Sequence, residues 1–344
     1  MMRTTDSSRI NVLVTVDFTD AQMAQLAAVS SQVHLIKRPT TNPTTIEAAI
    51  WETVDVLYTF RALPAPEDVP RLRWVQLHSA GVDQVIDHPV FGVKDILLTT
   101  TSGIHTATMA EYIFTMLLAF GRRLPTLTRL QARAEWPEQK TPLLPRELRG
   151  ATLGIVGYGS VGREVARLAV AFGMKVLATK RDVRRPAEDA EYTEADTGDP
   201  GAELVNRLYP PEALRSMLRA CDFVAVTVPL TEQTRHLIDA EALAAMKPDA
   251  VLVNVSRGEV IDEAALIEAL QAGRLGGAAL DVFEEEPLPS DSPLWKLPNV
   301  ITTPHIAGLS PRYNARAARL FAENLRRYLS GERLLNLVDR QFGY

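Results

Sequence analysis

Short β-branched apolar runs alternate with helical patterns along the whole chain. Over the first hundred residues this alternation predicts strands near Ile10–Val16, Val33–Lys37, Asp55–Thr59, Arg73–Leu77 and Ile96–Thr100. A helix is predicted between the first two strands, at Ala21–Val29, where Met23, Leu26 and Ala27 share one side. Strands that alternate with helices form a parallel sheet with helices on its faces.

A second alternation follows a predicted buried helix, Ala110–Ala119, and a polar arm rich in Arg and Pro, Gly121–Gly150. Its strands are predicted near Thr152–Val156, Lys175–Ala178, Phe223–Val228, Val251–Val255, Ala278–Val282 and Val300–Thr303. Most are continuous apolar runs, which are typical of strands covered on both faces. The pattern therefore predicts an α/β protein with two doubly wound parallel-sheet domains.

Two further segments carry local signals. Ser310 is predicted to cap a last helix, with Pro311 at its first position and Gly331 just past its end, and this helix is expected to pack on the first unit. By contrast, the charged segment Arg181–Ala202 has little apolar content, and it is predicted to be a solvated loop.

Composition narrows the class of protein. A length of 344 residues suits one large or two moderate domains, and a net charge of −5 gives no sign of a nucleic-acid-binding surface. No apolar stretch is long enough for a signal peptide or a membrane span. Cys221 is the only cysteine, so neither an internal disulfide nor a multi-thiolate metal site is possible, and we expect a cytoplasmic protein. No His, Asp or Glu cluster has metal-ligand spacing, so no metal site is predicted.

A glycine-rich loop lies between a predicted strand and a predicted helix, Arg163–Phe172. Its six residues are Gly157, Tyr158, Gly159, Ser160, Val161 and Gly162. The first glycine permits a tight turn, the second lets the backbone approach a pyrophosphate, and the third lets helix and strand pack closely. Free amides at the helix N-terminus would meet the negative charge. The loop therefore predicts a dinucleotide site, the alternative being a turn that binds nothing.

The end of the following strand bears on the choice of cofactor. An acidic residue there would accept hydrogen bonds from the adenosine ribose of NAD. This chain has Thr179, Lys180 and Arg181 instead, and a cluster of cations suits the additional phosphate of NADP. We therefore expect NADP to be preferred, the alternative being NAD bound beside solvated surface charges.

Several motifs, in order along nearly the whole chain, resemble the D-isomer-specific 2-hydroxyacid dehydrogenase family. They are Ser79–Asp83, the glycine loop, Val228–Thr231, Asn254–Gly258, Ala279–Pro287 and Thr303–His305. The resemblance implies a flavodoxin-like substrate domain built from residues 1–105 and 306–344, and an inserted Rossmann cofactor domain, residues 106–305. It also implies a homodimer joined through the cofactor domain, with 121–150 as the dimer arm.

The resemblance implies that Arg257, Glu286 and His305 are catalytic. An arginine fork can orient the carboxylate and ketone of a 2-oxo acid together. A histidine can protonate the oxygen as it becomes an alkoxide, and a neighbouring carboxylate favours the protonated ring and fixes its tautomer. Taken singly, each residue has another explanation: a surface ion pair for the arginine, a solvated acidic loop for the glutamate and a structural role for the histidine.

Substrate and further cofactor contacts are also implied by the resemblance. Backbone amides of Ala80, Gly81 and Val82 would bind the substrate carboxylate, beside Arg257 and His305. The other implied cofactor contacts are Thr108, Val228, Pro229, Thr234, Val255, Ser256 and Asp281, the last accepting from the nicotinamide carboxamide. His105 lies near the domain connection and would serve either substrate or hinge. A buried structural thiol is expected at Cys221.

The implied activity is NAD(P)H-dependent reduction of a small 2-oxo acid, such as glyoxylate or hydroxypyruvate, to the D-2-hydroxy acid. Two alternatives remain open. One is 3-phosphoglycerate dehydrogenase, ranked lower because some of those enzymes carry a further C-terminal regulatory domain and this sequence ends soon after its last predicted helix. The other is a dinucleotide-sensing protein of the transcriptional corepressor type, which keeps the same three residues.

Overall fold

The computed structural model describes residues 9–83, 85, 87–187, 192–340 and 343. The chain divides into two compact units. The first contains the chain up to Ile104, Tyr192 and the chain from Ser310 onward, and the second runs from His105 to Leu309 apart from the segment around Tyr192.

All strand pairs within the two sheets are parallel. The strands are β1 Ile10–Val14, β2 Val33–Lys37, β3 Val56–Thr59, β4 Trp74–Leu77, β5 Leu97–Thr99, β6 Thr152–Val156, β7 Lys175–Thr179, β8 Arg207–Tyr209, β9 Phe223–Val226, β10 Val251–Asn254, β11 Gly277–Leu280 and β12 Val300–Thr302. The predicted alternation is confirmed, with β8 as an additional short strand that the sequence pattern did not reveal.

Helices connect most of these strands. They are α1 Asp20–Ala27, α2 Ala48–Trp51, α3 Pro89–Gly92, α4 Thr106–Gly121, α5 Leu124–Ala132, α6 Ser160–Ala171, α7 Leu214–Leu218, α8 Ala240–Ala245, α9 Glu263–Gln271 and α10 Tyr313–Ser330. Side chains set several of their starts: Thr19 and Gln22 form a capping box on α1, and Asp262 accepts from the Ala265 amide at the start of α9. In the predicted polar arm, α5 was not anticipated.

The first unit contains a five-stranded sheet with the order β2-β1-β3-β4-β5. This is the flavodoxin-like order: β2 is added on one side of β1, and β3, β4 and β5 are added on the other side. Its core includes Val12, Val14 and Trp74 from the strands, together with Phe321 and Leu325 from α10. The prediction that the last helix packs on the first unit is therefore confirmed.

The start predicted for that last helix is wrong by two residues. Ser310 Oγ accepts from the Arg312 amide at 3.1 Å and so closes a turn, and α10 begins only at Tyr313. The predicted end is confirmed, because Gly331 follows the helix in the left-handed conformation, with φ at 69°.

The second unit contains a seven-stranded sheet with the order β12-β11-β10-β9-β6-β7-β8. Strands β6 to β11, in the order β8-β7-β6-β9-β10-β11, follow the doubly wound Rossmann order, and β12 extends the sheet beyond β11. Two apolar layers cover its faces, one containing α4 and α6 and the other containing α7, α8 and α9. Continuous burial of β9, β10 and β11 confirms the expectation that these strands are covered on both sides.

The segment 181–202 differs from its prediction as a solvated loop. Asp199 is only 5% exposed and accepts hydrogen bonds from the Glu203 and Leu204 amides at 2.9 and 3.0 Å. Ala202 packs against the core of the second unit. Part of the segment is therefore packed into that unit. Residues 188–191 of the predicted loop lie outside the described residues.

Among the helices in the described part of the chain, none is long and apolar enough to cross a membrane. The cytoplasmic location stays a prediction.

Candidate active site

Most of the predicted site residues of the second unit follow the carboxyl ends of neighbouring parallel strands. The glycine loop follows β6, Lys180 follows β7, Val228 follows β9, Arg257 follows β10, Asp281 follows β11 and His305 follows β12. Thr108 is the exception, because it lies on α4 and is half-buried. Ligands of open α/β sheets bind at this edge, so the sheet brings these separate motifs to one side of the unit.

The glycine loop packs closely against its neighbours at Gly157 and Gly162 but has open space beside Gly159. Gly157 has φ at 106°, and a Cβ there would lie 2.7 Å from Val228 Cγ1. A Cβ on Gly162 would lie 2.3 Å from the Gly157 carbonyl oxygen, whereas a Cβ on Gly159 would meet nothing within 4 Å. Open space therefore lies beside Gly159, directly before the N-terminus of α6. These residues fit the pyrophosphate of a dinucleotide.

Two side chains of this region hold the loop from within. Thr179 is 6% exposed, and its hydroxyl accepts from the Gly157 amide at 3.0 Å. Tyr158 is 2% exposed and donates its hydroxyl to the Asp199 carboxylate at 2.5 Å. The side chain of Tyr158 thus points into the protein, so any contact of this residue with a cofactor is made by its backbone.

The cations after β7 lie on a turn of defined shape. Lys180 is half-buried and Arg181 is exposed. Asp182 accepts from the Arg184 amide at 2.9 Å, and its other oxygen lies 4.0 Å from the Arg185 guanidinium. The turn therefore presents several cations together with one carboxylate.

The Val228–Thr234 segment is closed by its own threonines. Thr234 Oγ1 donates to the Pro229 carbonyl at 2.6 Å and accepts from the Thr231 amide at 2.8 Å. Thr227 donates to the Gly157 carbonyl at 2.8 Å, which joins this segment to the glycine loop. The Thr234 hydroxyl thus shapes the segment that the sequence assigned to cofactor contact.

Arg257 is positioned by a residue to which the sequence analysis gave no role. The Asn254 amide donates to the Arg257 carbonyl at 2.9 Å, and its oxygen accepts from the Ser256 amide and hydroxyl at 3.0 and 2.9 Å. Ser256 and Val255 are consequently buried, while Arg257 is half-buried and donates to the Ser256 carbonyl at 2.8 Å. The signal was present, because an asparagine ending a buried strand commonly bonds nearby backbone.

Gly258 allows the arginine segment to approach the acidic segment. A Cβ at this position would lie 1.8 Å from the Phe283 carbonyl carbon and 2.3 Å from the Glu284 nitrogen. Any side chain would therefore push the two backbones apart. The glycine of the Asn254–Gly258 motif is explained by this close approach.

Glu286 and His305 form the central pair of the site. Glu286 Oε2 lies 2.8 Å from His305 Nδ1, and Glu286 Oε1 accepts from the Phe283 amide at 3.1 Å. One oxygen of the carboxylate thus anchors it to its own turn while the other contacts the ring. The pairing predicted by the resemblance is present, and it fixes Nδ1 as the donor to glutamate, which directs Nε2 away from Glu286.

The pair of Glu284 with His236 is separate from this one. Glu284 Oε1 lies 3.1 Å from His236 Nε2, and both side chains are well exposed. Glu284 is therefore not part of the pair formed by Glu286 and His305.

Asp281 determines the backbone around His305. Its carboxylate, 1% exposed, accepts from the Thr303 hydroxyl at 2.6 Å and from the Ile306 and Ala307 amides at 2.9 and 2.7 Å. Its carbonyl accepts from the His305 amide at 2.9 Å. His305 itself has φ at 54°, an uncommon conformation for a residue other than glycine. The carboxylate predicted to contact nicotinamide thus also holds the histidine segment in a strained shape.

Tyr112 on α4 extends this network. Its hydroxyl lies 2.6 Å from Thr303 Oγ1. Because the single Thr303 proton goes to Asp281, the tyrosine is the donor in this contact. Burial raises the pKa of Tyr112 to about 12, so the phenol keeps its proton at neutral pH. Tyr112 was not identified from the sequence, where it reads as one aromatic residue of a buried helix.

The predicted substrate residues of the first unit follow β4. Ser79 donates its hydroxyl to the Gly81 carbonyl at 2.8 Å, which closes the turn, and Val82 is 3% exposed within the core. Only backbone atoms of Val82 can therefore face a ligand. Ala80 and Gly81 are half-buried.

His105 and Cys221 occupy different surroundings in the second unit. His105 directly precedes α4, and its Nδ1 lies 3.4 Å from the Gly308 carbonyl. Cys221 is fully buried, its thiol contacts the Met217 carbonyl at 3.1 Å, and burial raises its pKa to about 12. The prediction of a buried structural thiol is confirmed.

Comparison with known proteins agrees with this geometry. The model of the family "D-isomer specific 2-hydroxyacid dehydrogenase, NAD binding domain" matches residues 114–307. A glyoxylate reductase of Korarchaeum cryptofilum is 41% identical over 80% of this chain and 78% of its own length. An (S)-sulfolactate dehydrogenase of Chromohalobacter salexigens is 41% identical over 76% of this chain and 78% of its own.

A solved structure is similar over nearly the whole chain. It is a D-isomer specific 2-hydroxyacid dehydrogenase from Xanthobacter autotrophicus Py2, in complex with NADPH and MES. It is 30% identical, with a TM-score of 0.79, and the match covers 98% of this chain and all of that one. The sequence relatives, the matching fold and the arrangement of Arg257, Glu286 and His305 lead to one conclusion: this chain belongs to the D-isomer-specific 2-hydroxyacid dehydrogenase family.

Proposed function

We propose that the protein reduces a small 2-oxo acid of the glyoxylate or hydroxypyruvate kind to the D-2-hydroxy acid, with NADPH as the preferred cofactor. The observation that carries the proposal is the 2.8 Å contact between Glu286 and His305 Nδ1, on a segment shaped by Asp281. This contact leaves Nε2 as the ring atom that exchanges a proton with substrate. The glyoxylate reductase of Korarchaeum cryptofilum supports the substrate class.

The three predicted catalytic side chains have separate tasks. Arg257 binds the carboxylate and ketone oxygens of the 2-oxo acid and orients them. A reduced nicotinamide bound at the glycine loop supplies the hydride. His305, protonated and held by Glu286, donates the Nε2 proton to the substrate oxygen as negative charge develops there. Neutral His305 accepts that proton when the reaction runs in reverse.

The proposal assigns cofactor preference to the cationic turn. Lys180 and Arg181 occupy the position where an acidic residue would accept ribose hydrogen bonds, and neither can accept them. Both can pair with a phosphate dianion. The complex of the Xanthobacter relative with NADPH supports this choice. Binding of the substrate carboxylate by the amides of Ala80, Gly81 and Val82 stays a prediction of the resemblance.

We also propose that the protein forms a homodimer through the arm 121–150. Exposed apolar side chains collect on the arm 121–150, where Trp136 is 86% exposed and Leu144 is 62% exposed. They border an open apolar groove of about 710 Å³ that is also lined by Leu127, Leu130 and Pro145. Covering these apolar side chains in an interface would remove them from water, which is favourable. A second copy of the chain is the proposed occupant.

Assay of glyoxylate, hydroxypyruvate, 3-phosphohydroxypyruvate and 3-sulfopyruvate with NADPH and with NADH tests substrate and cofactor together. We expect turnover of the two smaller acids and a preference for NADPH of about tenfold or more in kcat/KM, which corresponds to about 1.4 kcal/mol. Lys180→Asp should move the preference towards NADH. The preference should also shrink as salt rises from low to moderate, because it is electrostatic.

Each failure of this assay has a distinct meaning. Tight NADPH binding without turnover of any acid would favour the dinucleotide-sensing alternative. Preferential use of 3-phosphohydroxypyruvate would favour 3-phosphoglycerate dehydrogenase. A wild-type enzyme that favours NADH at both salt concentrations would refute the role given to Lys180 and Arg181.

Arg257→Lys should lower kcat/KM for reduction by about 10- to 100-fold, since charge-assisted hydrogen bonds contribute about 1.5–3 kcal/mol. Lysine keeps the charge but loses the planar fork that orients two oxygens. The Kd of NADPH, measured by fluorescence, should stay within a few-fold of the wild-type value. Full activity at saturating substrate would remove Arg257 from the mechanism.

The pH dependence tests the pair of Glu286 and His305. Reduction requires the protonated ring, so its rate should fall as pH rises, and oxidation requires the neutral ring, so its rate should fall as pH decreases. Glu286→Gln removes the anion that favours the protonated ring, so both transitions should move to lower pH. Rates are measured where an isotope effect shows that chemistry limits turnover.

Glu284→Gln is the matched control, because Glu284 lies in the same acidic run but contacts His236 instead. Its pH profile should coincide with that of the wild type. If the pH profiles of both variants shift equally, or if that of Glu286→Gln does not shift, the pair of Glu286 and His305 does not control proton transfer.

Leu144→Glu should convert the dimer to a monomer in sedimentation velocity, because it places a charge in the apolar arm. Leu97→Glu, at an exposed leucine of β5 in the first unit, is the control and should leave the dimer intact. A wild-type protein that sediments as a monomer at micromolar concentration would refute the proposed arm interface.

A further inference from the structure

The connection between β7 and β8 is unusually long, and buried polar groups hold it in place. It spans residues 180–206, and its described parts, 180–187 and 192–206, contain no helix or strand. Connections longer than about 15 residues without secondary structure are uncommon in compact domains and are commonly functional. This connection begins with Lys180 and Arg181, the two cations of the proposed phosphate site.

Arg163, on the first turn of α6, bonds the connection at two points. The side chain is 2% exposed and donates one Nη to the Asp199 carbonyl and the other to the Pro186 carbonyl, each at 2.5 Å. Its guanidinium also lies over the Tyr158 ring, with 4.8 Å from Cζ to the centroid. Since Arg163 is buried and bonded to the backbone of the connection, its effect on a ligand is exerted through that backbone.

Tyr158 and Glu164 strengthen the same attachment. The Tyr158 hydroxyl donates to the Asp199 carboxylate, and Glu164 Oε2 accepts from the Gly198 amide at 2.7 Å. Glu164 is 3% exposed and also pairs with Arg167. Buried charges of this kind persist only when they are paired and hydrogen-bonded, so loss of one member leaves its partners unsatisfied.

The attachment fixes both ends of the cationic turn. At its start, the Lys180 amide donates to the Tyr209 carbonyl at 3.0 Å. At its end, the Pro186 carbonyl is held by Arg163. The turn between these points carries Arg181, and its position relative to the glycine loop is therefore set by a side chain that starts from the loop's own helix.

We propose that Arg163, with Tyr158 and Asp199, forms a positioning unit that determines selectivity for NADPH over NADH by fixing the cationic turn 180–185 beside the glycine loop. The inference rests on the proposed preference for NADPH. Thr179 and Thr227 bond the Gly157 amide and carbonyl of the glycine loop, and neither of these bonds involves Arg163. Loss of Arg163 should therefore weaken contacts with the 2′-phosphate while the pyrophosphate site remains.

Arg163→Met tests this directly, because methionine has an unbranched side chain that can pack like the aliphatic part of arginine but donates no hydrogen bond. The Kd values of NADPH and NADH are measured by fluorescence for wild type and variant. We expect the Kd of NADPH to rise by about tenfold or more and that of NADH by less than about threefold, since a difference of 1.4 kcal/mol corresponds to a factor of ten. General damage to the fold would raise both Kd values alike.

Arg146→Met is the matched control. Arg146 also lies over an aromatic ring, that of Phe223 at 4.8 Å, and also donates to a backbone carbonyl, that of Asp249 at 2.8 Å. It belongs to the same unit, and its partners Asp222 and Asp249 lie outside the connection. The ratio of the two Kd values should equal that of the wild type, and an equal loss of selectivity in this variant would overturn the inference.

Tyr158→Phe provides a second, milder variant that removes only the hydroxyl bonded to Asp199. Selectivity should fall in the same direction but by less, and amide hydrogen exchange of peptides covering 180–187 should become faster in both variants. Should Arg163→Met fail to fold, an unchanged ratio of Kd values in Tyr158→Phe would overturn the inference by itself.

The outcomes separate this inference from the proposed function. A wild-type protein without a preference for NADPH would refute the proposed cofactor choice and the inference with it. A wild-type preference that survives in both variants would refute the inference alone and leave the proposed function standing.

Discussion

The candidate site depends on the buried carboxylate of Asp281. A desolvated carboxylate is unfavourable unless donors surround it, and here one hydroxyl and two backbone amides do so within 2.9 Å. Those amides belong to Ile306 and Ala307, so satisfying the charge bends the chain just after β12. The bend places His305 in a left-handed conformation next to Glu286. The need of the buried Asp281 carboxylate, after β11, for hydrogen-bond donors thus determines where the His305 side chain lies after β12.

The parallel sheet makes this arrangement possible. Every strand of the second unit ends at the same edge, so residues far apart in the chain follow one another across the sheet. Close backbone approaches then bring neighbouring segments into contact, as at Gly258, which lies against Phe283. The segments that carry Arg257 and Glu286 are packed together because one residue of the first has no side chain.

The sequence predicted the two sheets because most of their strands are continuous apolar runs that alternate with helical patterns. It missed β8 because this three-residue strand begins with an arginine and therefore offers no continuous apolar run. The pair of Glu286 and His305 followed from recognisable motifs. The burial of Tyr158 and Asp199 did not, because a tyrosine in a glycine loop and an aspartate in an acidic segment are both expected at the surface. Only the fold shows that these two side chains satisfy each other.

Tracing the transferred atoms tests the central claim most directly. The enzyme is supplied with hydroxypyruvate and NADPH that carries two deuterium atoms at C4 of the nicotinamide, and the product is analysed by NMR and chiral chromatography. The account predicts D-glycerate with one deuterium at C2, since hydride reaches that carbon directly and the oxygen receives its proton from His305. A product without deuterium at C2, or one of L configuration, would contradict it.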